Sequence, residues 1–263
     1  PKSGKSVFTL AMCGAIRNGN RFLGYPTEPA RVLYLSEEPV ASFTKKLERY
    51  ELLEDPGFQY LRRFQAGVSA ATWPEVVEAL LEQAVGLGVE IVVIDVLHRW
   101  ANFSEGQAND SGVVSRAIRE LDPFVEANIT TVILHHGTWG SKRARGSTDI
   151  LGSVDMAYYI EGSGSEGRKF TYQGGRFETE FTEIAYDLDD DLRPRNLGKL
   201  SLAAASKTSQ ILGAIEDRGT MTSEELAIEL GWNERTARRW AERSFAHGLI
   251  GREVIEHGKY RWR

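Results

Sequence analysis

Some side chains in this chain stand at spacings that could work on a polyphosphate: a lysine and a serine behind a glycine, carboxylates behind apolar runs, and adjacent histidines behind another such run. The first group opens the sequence. PKSGKS reads as the closing part of a phosphate-binding loop, G-x-x-x-x-G-K-[ST], whose first glycine is expected upstream of Pro1. A glycine at position 4 lets backbone N–H groups turn inward on an anion, and a helix starting there adds the positive end of its dipole. Lys5 would reach the β- and γ-phosphates, and the Ser6 hydroxyl would meet a Mg²⁺ carried in with the nucleotide. Pro1, Lys2, Ser3, Gly4, Lys5, Ser6 and Val7 are therefore the expected nucleotide-binding segment. A bare G-K-S is common, but here it runs into VFTLAMCGAIRNG, a mostly apolar helix pattern that stops at Gly19.

The carboxylates come next. RVLYLS, residues 31–36, is apolar and β-rich, as a strand buried on both faces would be, and it ends in Glu37-Glu38-Pro39. Open α/β sheets collect ligands at the carboxyl ends of their strands. A carboxylate there could take a proton from, or orient, the water that attacks a γ-phosphate; a pair of solvated loop glutamates is the plain alternative. IVVID repeats the pattern and ends in Asp95, as a Walker B strand does when its carboxylate holds Mg²⁺ through water. Apolar strands ending in aspartate are frequent, so the weight comes from its place downstream of a phosphate loop.

ITTVILHH, residues 129–136, reads as a third buried strand and ends in His135 and His136. A γ-phosphate sensor fits that position, and a packed strand terminus is the rival; the cysteine, histidine or aspartate spacing of a zinc site does not accompany the pair. GTWGSKRARGST, residues 137–148, then carries Lys142, Arg143 and Arg145 with no offsetting acid. A solvated loop is the default for such a run. Contact with a nucleic-acid backbone, or an arginine finger offered to a neighbouring subunit's nucleotide, are the functional readings.

These residues need a sheet with helices between its strands, and the intervening segments supply them. VASFTKKLERYELL, WPEVVEALLEQAVGLG and VVSRAIRELDPFVEAN, the last across Pro123, have helical periodicity, and YLRRFQA reads as a short strand. KFTYQGGRFETEFTEIAYDL alternates as antiparallel strands would around Gly174-Gly175, expected at the edge of the same sheet. The 263 residues and 41% hydrophobic content suit one large domain with a small one attached. A net charge of −5 argues against indiscriminate coating of nucleic acid. Cys13 is the single cysteine, so no disulfide forms within the chain, which suits a cytoplasmic location, and no apolar run approaches the ~18 residues of a membrane span.

From Tyr186 the composition changes, and residues 189–206 read as a linker. Beyond it come KTSQILGAIEDRG, then TSEELAIELG with a capping box at Thr222 and Glu225, then ERTARRWAERSFAHGLI behind Asn233, then REVIEHGKYRWR as two short strands around His257-Gly258. Helices followed by a hairpin in residues 207–263 look like a winged helix-turn-helix. In its third helix Ala237, Trp240, Ala241, Phe245 and Leu249 would point inward, leaving Arg235, Arg238, Arg239 and Arg243 for phosphates or base edges. In the wing, Lys259, Arg261 and Arg263 share a face opposite Tyr260 and Trp262. This segment has ten Lys/Arg against nine Asp/Glu, so attraction to DNA would come from placement, and use of the domain for protein contacts or ring assembly is the alternative.

The order PKSGKS, LYLSEEP, IVVIDVLHRW, VILHH and RARGSTDILGSVD resembles the RecA-like ATPases of the plasmid RepA hexameric-helicase type, relatives of DnaB and RecA, over about residues 1–190. The resemblance implies an α/β fold: a RecA-like P-loop core with a mostly parallel sheet in residues 1–188, joined through 189–206 to the small winged helix of 207–263. It implies ATP and Mg²⁺ as cofactors, Glu37 as the catalytic base with Glu38 secondary, Asp95 as the Walker B carboxylate, His136 in the sensor pair, and Arg145, or else Arg143, as the finger. It also implies a homo-oligomer, a hexamer in this family, whose sites are completed between subunits. The function expected is DNA unwinding or translocation in the replication of a plasmid, phage or mobile element, with single-stranded DNA through the ring and duplex at the winged helix. The rivals are an ATP-switched DNA-binding regulator and a loader whose winged helix binds protein.

Overall fold

The computed structural model describes residues 4–63, 71–104, 106–107, 110–135, 147–162, 167–179, 181–255 and 260–263. The chain divides into two compact units, one built from Lys5–Ala157 with Gln173–Glu178 and the other from Pro1–Gly4, Tyr158–Tyr172 and Thr179–Arg263.

The first unit is a parallel sheet between layers of helices. Its elements in chain order are α1 (Lys5–Arg17), β1 (Val32–Ser36), α2 (Val40–Arg49), β2 (Phe58–Arg62), α3 (Trp73–Gly86), β3 (Ile91–Asp95), α4 (Leu97–Trp100), α5 (Ser111–Arg119), α6 (Asp122–Glu126), β4 (Thr130–Leu134) and α7 (Ser147–Leu151). The strands lie in the order β2-β1-β3-β4, all parallel, with Ser36 opposite Asp95 at the carboxyl edge. The alternation of side chains along a strand sorts β1 and β3 between two cores. Leu33, Leu35, Val92 and Ile94 face Trp73, Val76, Val77 and Leu80 of α3 and Val114 and Ile118 of α5. Val32, Tyr34 and Val93 face Leu10 and Cys13 of α1 and Phe43 and Leu47 of α2. With both faces covered, all of β1 is buried, and each fully buried leucine or valine contributes about 1.5–3 kcal/mol.

The helix expected across Pro123 is in fact two, because α5 ends at Arg119 and proline occupies the first turn of α6. Proline there needs no N–H partner and cannot continue the preceding helix. Asp110 caps α5, its Oδ1 accepting from the N–H groups of Gly112 at 2.8 Å and Val113 at 3.1 Å.

The second unit holds β5 (Ala157–Glu161), β6 (Arg168–Gly174), β7 (Glu183–Leu188), β8 (Pro194–Gly198), α8 (Leu202–Arg218), β9 (Met221–Thr222), α9 (Ser223–Leu230), α10 (Glu234–Ala246), β10 (Arg252–Val254) and β11 (Tyr260–Trp262). The strands expected at the edge of the parallel sheet form their own sheet, β5-β6-β7-β8, in which β6-β7 and β7-β8 are antiparallel. The stretch expected as a linker, 189–206, carries β8 and the start of α8, and Leu197 and Leu200 are buried with Ala185 of β7 in one core with α8, α9 and α10. A buried polar joint reinforces it: Arg195 of β8 donates to both oxygens of Asp187 at 3.0 and 2.7 Å and also pairs with Glu216 of α8, while the Ser209 hydroxyl donates to Asp187 at 2.6 Å.

The C-terminal caps match their sequence signals. The Thr222 hydroxyl accepts from the Glu225 N–H at 3.2 Å and Glu225 accepts from the Thr222 N–H at 2.6 Å, Gly231 ends α9 at φ +64°, and Asn233 accepts from the Thr236 N–H at 2.8 Å to open α10. A three-stranded antiparallel sheet, β10-β11-β9, packs with these helices through the fully buried Trp262. Among the described residues no helix is long and apolar enough to cross a membrane.

Candidate functional site

Gly4 sits at φ +79°, a conformation that only glycine adopts without strain, and α1 starts at the next residue. Lys5 and Ser6 thus occupy the first turn, where helix N–H groups lack internal partners. The Ser6 hydroxyl hydrogen-bonds to the Asp95 carboxylate at the end of β3. Burial lowers the pKa of Lys5, and the Asp95 charge partly offsets that.

Asp95 is 3% exposed, and burial raises its pKa while hydrogen bonds from Tyr34 and Ser6 draw it back. The Tyr34 hydroxyl donates to Asp95 Oδ2 at 2.7 Å. Tyr34 is itself fully buried, and its phenol pKa is pushed well above the usual value by burial and by the neighbouring carboxylate, which keeps it a donor. The sequence reading missed Tyr34. The available signal was a polar-tipped side chain inside a strand otherwise apolar up to Ser36, since a buried phenol must find a partner.

The two glutamates after β1 have different surroundings. The Glu37 N–H donates to the Asp95 carbonyl at 3.0 Å, so the tips of β1 and β3 are joined by main chain, and the Glu37 carboxylate meets Arg99 Nε at 3.0 Å. Burial raises the Glu37 pKa, Arg99 lowers it, and Asp95 raises it further. Glu38 turns the other way and pairs with Lys46 of α2.

His135 follows β4 with neither ring nitrogen hydrogen-bonded. Burial lowers its pKa, and His98 and Lys5 add to the effect, so the imidazole stays neutral beside the lysine. His136, Arg143, Arg145, Lys142, Lys259 and the loop residues Pro1, Lys2 and Ser3 lie outside the described residues.

The chemistry of this donor set can be tested against Mg²⁺-nucleotide. A buried carboxylate and a serine hydroxyl meet beside a lysine at the start of a helix, and no cluster of three or more His, Cys, Asp or Glu that could hold a metal by itself occurs among the described residues. Mg²⁺ keeps most of its ligands as water and phosphate oxygens and takes one or two from protein, so Ser6 and Asp95 fit it.

On α10, Ala237 and Ala241 are fully buried and Trp240, Phe245 and Leu249 are partly buried against the same core, as the apolar spacing predicts. Arg235, Arg238, Arg239 and Arg243 are exposed. Arg238 pairs with Glu242 at 2.9 Å, and the Arg239 and Arg243 guanidinium groups lie 5.7 and 5.1 Å from the Trp240 ring centroid, lining with it a concavity of about 310 Å³. Arg252 stacks on Phe245 and Tyr260 at 4.3 and 4.7 Å. Arg261, expected on the outer face of the wing, is half-buried near Glu225.

A helix-flanked parallel sheet, a Gly-Lys-Ser turn opening α1 and a buried aspartate on the adjacent strand edge define a P-loop ATPase with a RecA-like core. Residues 1–142 match the model of the AAA_25 family, described as an AAA domain, and the chain belongs to that family. No curated protein matches the sequence. Among solved structures, a KaiC-like protein from the hyperthermophilic archaeon Pyrococcus horikoshii is similar in fold, with a TM-score of 0.51 at 10% identity, over 74% of this chain and 85% of that one.

Proposed function

We propose that the chain is an Mg²⁺-dependent ATPase that acts on DNA, as a ring-forming helicase or translocase of the plasmid RepA type, with residues 207–263 serving as a winged helix that recruits it to DNA. The observation that carries hydrolysis is the joining of the Glu37 and Asp95 strand tips beside Lys5 and Ser6. In this reading Gly4 and the first turn of α1 bind the phosphates, and Lys5 neutralises their charge. Ser6 and Asp95 would hold Mg²⁺, which supplies charge neutralisation across the phosphate oxygens. Glu37 orients the attacking water and accepts its proton, and half-buried neutral His135 is a hydrogen-bonding partner for the γ-phosphate end. Arg145 or Arg143 is assigned the finger in a neighbouring subunit, a contribution typically of ~10³- to 10⁵-fold.

Steady-state ATP hydrolysis with Mg²⁺, with and without single-stranded DNA, tests the reading on the wild-type chain and on Lys5→Ala. Stimulation by DNA that disappears in Lys5→Ala is expected. Turnover indifferent to DNA removes the motor and leaves an ATPase with another task.

A loader whose C-terminal unit grips protein is the second reading, favoured by the near balance of ten Lys/Arg against nine Asp/Glu in residues 207–263. It predicts that salt up to physiological strength leaves no measurable DNA affinity in the chain.

A further inference from the structure

Glu37 is held by a cation from its own subunit. Arg99 lies on α4, a single turn whose direction is set by two buried anchors, Leu97 at 0% and Trp100 at 1% exposed. Those anchors send Arg99 outward, its side chain 60% exposed, and its Nε meets Glu37 Oε2 at 3.0 Å, where the carboxylate is 29% exposed. The other acid at this edge, Glu38, is engaged by Lys46, so the two carboxylates after β1 have separate cations.

A carboxylate that orients water and accepts its proton must offer a lone pair and be basic enough to use it. A guanidinium on the same carboxylate occupies one of those sites. We propose that Arg99 is a positioning residue that restrains Glu37, holding it in an ion pair that must open before the water is activated, so that basal hydrolysis is kept low. This rests on the reading of Glu37 as the group that activates water. The restraint is built to yield: an ion pair with one partner more than half exposed costs little to open, and α4 keeps the guanidinium close enough to close again.

The test is ATP hydrolysis without nucleic acid by Arg99→Gln, Arg99→Lys, Glu37→Gln and the Arg99→Gln/Glu37→Gln double variant, with a thermal melt for each. Arg99→Gln is expected to raise kcat roughly 2- to 5-fold, the factor such a pair is worth, with KM for ATP unchanged. Arg99→Lys, which keeps the charge, should stay near wild type, and Arg99→Gln should add nothing in the Glu37→Gln background. A loss of packing alone would lower kcat or shift the melt and would not depend on Glu37. Arg99→Met keeps the aliphatic stem and gives the same rise if the glutamine variant is poorly folded. An unchanged or lower kcat in folded Arg99→Gln or Arg99→Met overturns the proposal. Wild-type turnover in Glu37→Gln overturns the Glu37 reading itself, a failure visible in that variant alone and so distinguishable from failure of the restraint.

Discussion

The carboxyl edge of the parallel sheet and the outer face of α10 both carry charged residues, but they handle them oppositely. At the sheet edge the carboxylates are buried or half-buried, and two of them are answered from far along the chain: Tyr34 and Ser6 reach Asp95, and Arg99 reaches Glu37. On α10 the answers are local: Arg238 pairs with Glu242 one turn on, and Arg239 and Arg243 lie about Trp240 of their own helix. Burial makes an unmet charge costly, so Asp95 is committed to its partners, whereas exposure leaves the arginines of α10 available to a phosphate at little cost.

That contrast breaks most visibly at Tyr34. Tyr34→Phe keeps the ring in its core and removes the donor to a buried carboxylate, and it should cost about 1–3 kcal/mol, read from the denaturant midpoint. An unchanged midpoint would mean that Asp95 does not depend on tertiary partners.

A smaller effect sharpens the comparison between ion pairs. Arg17 donates to both oxygens of Asp55 at 2.9 Å, and this pairing with the Gly57 N–H holds the Asp55 pKa below its usual value. A depressed folded pKa gives stability that is present above the unfolded value and lost as pH falls through the folded one. Asp55→Asn should therefore be less stable than wild type by about 1 kcal/mol at neutral pH, the gap closing from about pH 4 downward, as melts across pH would show.

The smallest effect concerns α10 as a DNA surface. Arg243→Ala should weaken binding evenly across sequences and reduce the salt slope by ~1, and Arg238→Ala should do less because Glu242 competes for it. Equal losses would show that the ion pair opens freely.

How much of this was legible in the sequence depends on the range of the interaction. The caps at Thr222–Glu225 and Asn233, the strand ending at Asp95 and the Gly-Lys-Ser turn are local patterns, and the structure reproduces them where it describes them. The break at Pro123 was also a local signal, and helical periodicity outweighed it in the reading. The strand β8 was not legible, because a run with three aspartates and a proline has the composition of a linker, and Leu197 is buried in a core that it shares with β7, α8, α9 and α10.

By itself the sequence determined the nucleotide-binding turn, the apolar strands ending in acids and the helical faces of the C-terminal unit, since each depends on neighbours within a few residues and on backbone preferences carried by residue type. Only the tertiary structure decided that Tyr34 serves Asp95, that Glu37 belongs to Arg99 and Glu38 to Lys46, and that residues 189–206 close a core. Adjacent glutamates are equivalent in composition. They become different when strand pairing turns one toward α4 and the other toward α2, where each charge must be met by whichever cation the fold brings near.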